Sequence, residues 1–385
     1  MNKIEKLIKE LCPNGVEWKK LGEVCGISTG KGITKKDEVL NGKYPIISGG
    51  ITPMGYYNSF NRNANTITVS RVGANAGYVN FITCNFYLND KCFSVIPIDE
   101  KNGDINVVYL YHYLKYIENN ISELQSEGGV PTINTTKLSS ISIPLPPLPI
   151  QTEIVRILDK FVEQQEQLER LIELRKKQYE YYREEMLKPK EGEVWETKRL
   201  GEIGTFVRGN GLQKTDFREE GFPCIHYGQV HTYYGFSATE TKSFCSETLA
   251  EKLKKASYGD LIIATTSEDV DACCKATVWL GKGKVAISGD SYLFSHNKNP
   301  KFVAHLFRTK RFADQKRMVA TGAKVVRVSG ESMAKFEFQI PSSLDRQKEI
   351  ADALDRFELS LSSLISALEA TKARYEYYRD LMLNF

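Results

Sequence analysis

The sequence lacks the features that would place it in a membrane, in an oxidising compartment or among thiol–metal proteins. Its apolar runs stay well below the ~18 residues that a membrane span requires, and its charged first six residues lack the apolar stretch of a secretion signal. None of its eight cysteines forms a C-x-x-C pair, which disfavours a zinc knuckle or a thioredoxin-type site. These absences predict a cytoplasmic protein with no membrane contact.

Catalytic signatures are missing as well. There is no G-x-x-x-x-G-K-[ST] phosphate loop, no G-x-S-x-G elbow and no Asn-Pro-Pro-aromatic tetrad of amino-methyltransferases. Asp90, followed by Asp-Glu-Lys at 99–101, fits a Mg²⁺ nuclease only loosely, because the second segment has the composition of a turn. Three glycine pairs lack the third glycine of a dinucleotide loop: 30–32, 209–211 and 281–283. We predict no catalytic residue.

Metal-ligating side chains come closest together in sequence at Cys224, His226 and His231. A thiol and two imidazoles could hold Zn²⁺, but the same spacing fits half-buried residues around a strand. We favour the second interpretation, and predict no metal site and no cofactor on this chain.

A large excess of charge of one sign is also missing, since the net charge is only +4. The charge is distributed unevenly: 1–150 carry +2, 151–187 carry −2, 188–346 carry +6 and 347–385 carry −2. The positive charge therefore lies in the two long segments, which is compatible with nucleic-acid binding.

An internal repeat organises the chain. Residues 151–187 match 347–383 at a constant offset of 196, and the letters YEYYR recur at 179–183 and 375–379. A weaker match joins the preceding segments at an offset of 179, where LGE recurs at 21–23 and 200–202. We predict a globular domain at 1–150, a helix at 151–187, a second domain at 188–346 and a second helix at 347–385, with about 17 extra residues in loops of the second copy.

Both predicted helices carry a seam of apolar and aromatic residues spaced four and three apart, which is typical of a coiled coil. Gln165 and Arg175 interrupt the first seam and Thr371 the second. The first seam otherwise contains Ile154, Leu158, Phe161, Leu168, Ile172, Tyr179, Tyr182 and Met186. The second contains Ile350, Leu354, Phe357, Leu361, Leu364, Leu368, Tyr375, Tyr378 and Met382.

The simplest arrangement pairs the two helices with each other, and we favour an antiparallel pair because it gives the duplicated chain an internal two-fold axis. A parallel pair, or each helix packed only on its own domain, are the alternatives. Prolines precede both helices, at 144–149 and at Pro341, and indicate extended lead-ins rather than a ligand for an SH3-type domain. The fold class predicted is α+β, with two globular domains and an antiparallel coiled coil.

The globular segments combine β-branched runs with loops rich in Lys, Arg, Tyr, Asn and Gly. Cations in such loops neutralise phosphates, and an Arg, Asn or Gln side chain can form two hydrogen bonds with the edge of one base. Each of these cations is also a reasonable solvated surface charge. The candidate DNA contacts are Lys31, Lys35, Lys36, Arg62, Arg71 and Lys91 in the first copy, and Arg208, Lys214, Arg218, Lys242, Lys275, Lys324 and Arg327 in the second.

Several motifs together resemble the specificity subunits of type I restriction–modification systems. They are CPNGVEWKKLGEV at 12–24, GVPTIN at 129–134, IPLPP at 143–147 and Q-x-E-I at 151–154. The order of the repeat, domain then helix twice over, extends the resemblance to the whole chain. The second copy departs from the pattern, because GAKVVR at 322–327 stands where the first has GVPTIN.

This resemblance implies a non-catalytic, DNA-binding subunit. Each globular domain would be a target recognition domain that reads one half of a split DNA site, and the helices would set the spacer between the halves. Two methyltransferase subunits would bind the chain and carry S-adenosylmethionine, and restriction–translocase subunits using ATP and Mg²⁺ would join them. A coiled-coil scaffold that does not contact DNA is the alternative from another class, and a self-sufficient methyltransferase or nuclease is a third.

Overall fold

The computed structural model describes residues 3–98, 104–126, 129–322 and 324–385. The chain divides into two compact units, of which unit 1 comprises Met1–Glu169 with Ser366–Phe385, and unit 2 comprises Arg170–Ile365. In the described part of the chain, no helix is both long enough and apolar enough to cross a membrane. The Asp-Glu-Lys run at 99–101, part of the nuclease alternative, lies outside the described residues.

Unit 1 contains a mixed α/β domain and parts of the two long helices. Its strands form sheets in the orders β2-β8-β5-β6, β4-β3-β7 and β1-β9. The elements in chain order are α1 (Lys3–Leu11), β1 (Trp18–Lys20), α2 (Leu21–Val24), β2 (Cys25–Thr29), a 3₁₀ turn (Lys35–Asp37), β3 (Tyr44–Ile47), β4 (Gly55–Tyr57), β5 (Thr66–Ser70), β6 (Val79–Ile82), β7 (Tyr87–Leu88), β8 (Cys92–Pro97), α3 (Val107–Tyr116), α4 (Glu118–Ser122), α5 (Thr135–Ser139), β9 (Ser142–Pro144) and α6 (Leu148–Met186).

Unit 2 repeats this plan with additional elements. Its sheets have the orders β11-β20-β16-β18-β13, β14-β12-β19-β15, β10-β22 and β17-β21. The elements are β10 (Trp195–Arg199), α7 (Leu200–Ile203), β11 (Gly204–Arg208), a 3₁₀ turn (Lys214–Asp216), β12 (Phe222–Ile225), α8 (Tyr227–Thr232), β13 (Ser237–Ala238), β14 (Ser243–Cys245), α9 (Glu247–Ala250), β15 (Lys255–Ala256), β16 (Leu261–Ala264), β17 (Thr266–Ser267), β18 (Lys275–Trp279), β19 (Val285–Ile287), β20 (Ser291–His296), α10 (Pro300–Leu306), α11 (Lys310–Val319), β21 (Val326–Arg327), α12 (Gly330–Ala334), β22 (Glu337–Pro341) and α13 (Leu344–Leu383).

The glycine of each LGE triplet has a packing role. Gly22 lies against α5, where a Cβ atom would come within 2.7 Å of Ser139 Cβ, and Gly201 lies against Ala334 of α12 at 3.1 Å. A larger residue would push the short helix away from its neighbour, because these interiors are close-packed. The repeated triplet therefore marks the same helix–helix contact in both units.

The long helices α6 and α13 have 39 and 40 residues and pair antiparallel. In unit 1, Phe161 near the start of α6 stacks on Tyr378 near the end of α13, with ring centroids 5.5 Å apart. In unit 2, Tyr182 near the end of α6 stacks on Phe357 near the start of α13, at 5.3 Å. Each pair joins an early residue of one helix to a late residue of the other, as expected for an antiparallel pair.

The seam residues also pack on the globular domains, so helix pairing and domain packing are not exclusive alternatives. Ile154 and Leu158 are buried in the unit 1 core, and Ile350 and Leu354 are buried in the unit 2 core. The ends of the helices contribute as well, since Met382 lies in the unit 1 core. Burial on this scale stabilises each helix far more than intrinsic propensity does.

The extra residues of the second copy lie largely in one connection. Strands β3 and β4 are joined by the seven residues 48–54, whereas the equivalent strands β12 and β14 are joined by the seventeen residues 226–242. This longer connection contains helix α8 and strand β13. The placement agrees with the expectation that insertions lie between the shared strands.

Backbone pairing corrects one alignment made from sequence letters. Matching GVPTIN with GAKVVR made Asn134 equivalent to Arg327. In the structure, Asn134 caps α5 and Ser329 caps the equivalent helix α12, each by accepting a backbone N–H bond. Thr132 and Arg327 occupy the same bridging position two residues earlier. Aligning the two motifs on their shared glycine therefore placed them two residues out of register.

Candidate nucleic-acid interface

Four loops of unit 1 meet at one end of its sheets. The amide of Lys31 donates to Leu88 O (3.0 Å), that of Arg71 to Lys91 O (2.9 Å), and that of Ile133 to Arg71 O (2.9 Å). These bonds satisfy backbone groups that the strands leave free at their ends. We call the surface formed by residues 30–36, 71–73, 89–91 and 130–133 the unit 1 loop surface.

A fifth loop, 48–54, crosses this surface at close range. A Cβ atom on Gly49 would lie 2.4 Å from Val72 O, and one on Gly30 would lie 1.9 Å from Leu88 O. Both positions therefore require glycine. Gly30 of the Gly-x-Gly pair at 30–32 thus lies where two backbones approach closely, which explains this glycine without a phosphate loop.

The unit 1 loop surface gathers five of the six cations predicted there. Lys31, Lys35, Lys36 and Lys91 are exposed. The fifth, Arg71, donates from Nη1 to Asp90 O at 3.2 Å, which directs its guanidinium along the surface. Long cationic side chains on a single surface suit contact with the phosphates of a nucleic acid.

Arg62 is placed differently from the other five cations, because its guanidinium is hydrogen-bonded within unit 1, and its contact with DNA stays a prediction. Its guanidinium donates to Ser94 Oγ (2.9 Å), Asn61 O (2.8 Å), Ser28 Oγ (3.1 Å) and Thr29 O (3.0 Å). Burial also lowers the pKa of Arg62. This arginine cross-links strands within unit 1, because most of its donors are committed to protein acceptors.

Unit 2 carries a groove in the equivalent region. Two clefts adjoin there, since Lys214 and Tyr227 line both of them. Helix α8 forms one wall, and its first turn is fixed by His226, whose amide donates to Gln229 Oε1 at 3.0 Å. We call this the unit 2 groove, lined among others by Arg208, Lys214, Tyr227, His231, Lys242 and Thr266.

Three of the seven predicted cations of unit 2 line this groove. Arg208 donates from Nε to Gly289 O (3.0 Å), and most of its side chain remains exposed. Lys242 lies over the ring of Tyr233, 4.7 Å from its centroid, so a cation and an aromatic face are presented together. Lys214, the third, is exposed at the point where the two clefts meet.

The other four predicted cations of unit 2 are placed differently. The backbone of Arg327 pairs with that of Thr266 at the edge of the groove. Lys324, three residues earlier in the chain, is exposed. Arg218 bridges Phe244 on the outer side of β14. Lys275 donates to His231 O at 2.9 Å and burial lowers its pKa. Lys275 therefore stabilises the end of α8 that lines the groove, and its contact with DNA stays a prediction.

The three side chains considered for a metal have other partners. Cys224 is fully buried in β12, and burial raises its pKa to about 12. His226 Nδ1 accepts from Gly228 N (3.1 Å), and His231 Nε2 bonds Thr266 O (3.0 Å). Within residues 3–98, 104–126, 129–322 and 324–385, no cluster of three or more His, Cys, Asp or Glu could hold a metal ion.

One cation occupies the same position in both units. The 3₁₀ turn that carries Lys35 begins with a capping box in which Asp37 accepts from Thr34 N at 2.8 Å. The turn that carries Lys214 begins in the same way, with Asp216 accepting from Gln213 N at 2.8 Å. The matched lysines are therefore candidates for the same kind of contact in both units, and phosphate contacts are the kind that does not depend on sequence.

A buried glutamine joins each domain to its long helix. Gln151 Oε1 accepts from Asn106 N (2.8 Å), and Gln347 Oε1 accepts from Asn299 N (2.9 Å). Each amide nitrogen donates to a carbonyl just before the helix, that of Pro146 (2.7 Å) or Pro341 (2.8 Å). We call each of these sites a domain–helix anchor.

A histidine–aspartate pair reinforces each anchor. His112 Nε2 lies 2.8 Å from Asp159 Oδ1, and His305 Nε2 lies 3.2 Å from Asp355 Oδ1. Burial lowers the pKa of His305, although the bond to Asp355 opposes this shift. Sequence reasoning missed these contacts, although Gln151, Asp159 and their repeats are identical letters at the constant offset.

Comparison with known proteins assigns the family. The type I restriction modification DNA specificity domain matches the chain twice, over residues 13–176 and 192–370. The chain belongs to the type I restriction modification DNA specificity family. The two matches correspond to the two copies of the repeat, each with its own domain and most of the helix that follows.

Relatives of full length support the assignment. A type I restriction enzyme specificity subunit of Escherichia coli is 26% identical, with 100% of this chain and 97% of that protein aligned. One of Methanocaldococcus jannaschii is 24% identical, with coverage of 90% and 86%. Among solved structures, the type I restriction-modification system S subunit from M. genitalium has the same fold, with a TM-score of 0.67, 19% identity and coverage of 96% and 97%.

A second solved structure comes from a study of complex assembly and conformational transition of the type I restriction–modification system. It has a TM-score of 0.53 and 17% identity, and covers 97% of each chain. Both structural matches extend over nearly the whole of this chain, so the duplicated α+β architecture is shared and is not confined to one domain.

Proposed function

We propose that this chain is the subunit that gives a type I restriction–modification complex its DNA specificity, with each unit reading one half of a bipartite site. The observation that carries the proposal is the pair of equivalent surfaces, the unit 1 loop surface and the unit 2 groove. They share the matched lysines Lys35 and Lys214 but differ in the loops around them. Shared phosphate contacts with different base-reading loops are what two unlike half-sites require.

We further propose that the antiparallel helices set the number of base pairs between the half-sites. The domain–helix anchors support this role, because Gln151 and Gln347 are fully buried and join each domain to the start of its long helix. Geometric control of half-site spacing is common where two readers are rigidly connected.

In the proposed complex this chain contributes recognition and its partners contribute chemistry. Two methyltransferase subunits would carry S-adenosylmethionine, and restriction–translocase subunits would use ATP and Mg²⁺. The absence from the sequence of phosphate loops, nucleophile elbows and the methyltransferase tetrad supports a non-catalytic role for this chain.

DNA binding by the assembled complex tests the proposal against the scaffold alternative. We expect Lys91→Glu on the unit 1 loop surface and Lys214→Glu in the unit 2 groove each to weaken binding to genomic duplex fragments about tenfold, because a phosphate contact becomes a repulsion. Lys9→Glu, on the exposed face of α1, is the matched control and should leave affinity unchanged.

Fluorescence anisotropy with the methyltransferase subunits present measures these affinities. If the intact complex shows no DNA binding, the scaffold alternative is correct. If all three charge reversals weaken binding equally, the DNA contacts lie outside the two proposed surfaces.

A further inference from the structure

Two cysteines that DNA recognition leaves unused lie side by side beneath the unit 2 groove. Cys273 and Cys274 are almost fully buried, and their sulfur atoms are 3.9 Å apart. Cys274 has φ +64°, a conformation that side chains other than glycine rarely adopt. A hydrogen bond from its amide to Ala264 O (2.8 Å) holds it there.

A buried ammonium group lies beside the two thiols. Lys316 is only 4% exposed, and its Nζ donates to Asp271 O (2.8 Å) and Cys273 O (2.9 Å). Both acceptors are neutral carbonyls, and Lys316 forms no ion pair within the described part of the chain. A buried, unpaired cation is costly, so a thiolate at Cys273 would be electrostatically favoured.

The pKa of the Cys273 thiol is lowered, as expected beside a buried ammonium group. The hydrogen bond from the Cys274 thiol lowers the pKa of Cys273, burial opposes that shift, and the charge of Lys316 lowers the pKa further. A second pair of neighbouring cysteines in unit 2, Cys224 and Cys245, lacks this environment. Burial raises the pKa of Cys224 to about 12. The two pairs thus form a natural comparison.

Cys273 also contacts the strands that border the groove. Its Sγ donates to Thr265 O (3.3 Å) and lies 3.9 Å from Val326 O. The neighbouring residues Thr266 and Val325 line the unit 2 groove. Movement of the Cys273 sulfur would therefore act on the two-residue strands β17 and β21.

We propose that Cys273 and Cys274 form a reversible two-electron redox site, in which a peroxide closes the pair to a vicinal disulfide and loosens strands β17 and β21. The Cys273 thiolate attacks one peroxide oxygen and gives a sulfenic acid and hydroxide, which takes up the proton lost from Cys273. The Cys274 sulfur then attacks the sulfenic sulfur, and the hydroxyl leaves as water with the Cys274 proton. Two thiols and hydrogen peroxide thus yield one disulfide and two waters.

The disulfide should be easy to reduce. Adjacent Cα atoms are about 3.8 Å apart, below the usual separation of about 4.4–6.8 Å across a disulfide. Strain of this kind raises the reduction potential, so a dithiol reductant should reopen the pair. Closure also shortens the distance between the sulfurs by almost half and removes the bond from Cys273 to Thr265 O.

Any consequence for DNA binding rests on the proposed function, whereas the oxidation and the strand opening do not, and the test therefore measures those two directly. The full chain is treated with hydrogen peroxide in a Cys84→Ser background, which removes an exposed thiol. Peptide mass spectrometry should show loss of two hydrogens from the peptide containing 273–274, restored by dithiothreitol. The variant Cys274→Ser should not show this loss.

Hydrogen exchange provides the second measurement. In the oxidised chain, amides at 265–267 and 326–328 should exchange about fivefold faster, as the loss of one hydrogen bond implies, and reduction should reverse the change. Cys224 and Cys245 are the internal control and should remain thiols. The proposal is overturned if 273–274 stays reduced, if the Cys224–Cys245 pair oxidises equally fast, or if closure leaves exchange at both strands unchanged.

Discussion

Replacing Gln347 by leucine tests the domain–helix anchor of unit 2. Gln347 is fully buried, and leucine would fill much of its volume while removing both hydrogen bonds. Asn299 N and Pro341 O would then be buried without a partner. Each unsatisfied group costs about 1–3 kcal/mol, so the free energy of unfolding of unit 2 should fall by about 4 kcal/mol.

Hydrogen exchange localises this effect, because Asn299 is the residue that caps α10. A loss of about 4 kcal/mol corresponds to exchange up to about a thousandfold faster at α10 amides that exchange through opening of the anchor. Gln151→Leu should produce the same effect at α3, next to Asn106, and not at α10. Gln178→Leu, at an exposed position of α6, is the control and should change neither helix.

The anchor interpretation fails if Gln347→Leu folds with α10 exchange within about twofold of the parent, since a single lost hydrogen bond already exceeds that change. It also fails if both variants accelerate exchange equally throughout both units, because a local anchor must act on the helix whose capping asparagine its own glutamine binds.

Three further outcomes are expected. Lys35→Ala and Lys214→Ala should each reduce the slope of log affinity against log salt by about 1 without changing the preferred DNA sequence. Anisotropy titrations at several salt concentrations measure this slope. A changed sequence preference would contradict a phosphate-binding role for these lysines. Burial lowers the pKa of His296 from 6.5 to about 4, so the unfolded chain binds a proton below pH 6.5 that the folded chain excludes. The free energy of unfolding is therefore unaffected by His296 above pH 6.5 and falls by about 3 kcal/mol as the pH drops to 4. Urea unfolding at several pH values should show this fall, and His296→Phe should reduce it. Deleting one matched heptad from each long helix should change the spacer in the methylated motif but neither half-site, and an unaltered spacer would refute the role of the helices.

The architecture could be predicted because two of its signals are periodic. A constant offset of 196 identifies the duplicated helices, and the 3.5-residue seam predicts their pairing. Runs such as Leu261–Ala264 predict buried strands because β-branched and apolar residues suit a covered sheet. These signals depend on local chemistry and on repetition, and both are visible in a single sequence.

The candidate interface could be predicted only in part, because charge is visible in sequence and hydrogen-bond partners are not. Arg62 and Lys275 are cationic, as Lys31 and Lys242 are, yet their donors bind protein carbonyls and hydroxyls. The unit 2 groove was equally hidden, because helix α8 lies in the seventeen-residue connection 226–242, and the equivalent seven-residue connection of the first copy contains no helix.

Single-molecule sequencing of adenine methylation tests the central claim most directly. The chain is expressed together with a type I methyltransferase subunit, in parallel with a strain that lacks the chain. We predict a split motif with two defined halves and a fixed spacer, present only when the chain is expressed, and altered in one half alone when the loops of one unit are changed. A motif that is identical without the chain, or that changes in both halves when one unit is altered, would contradict the account.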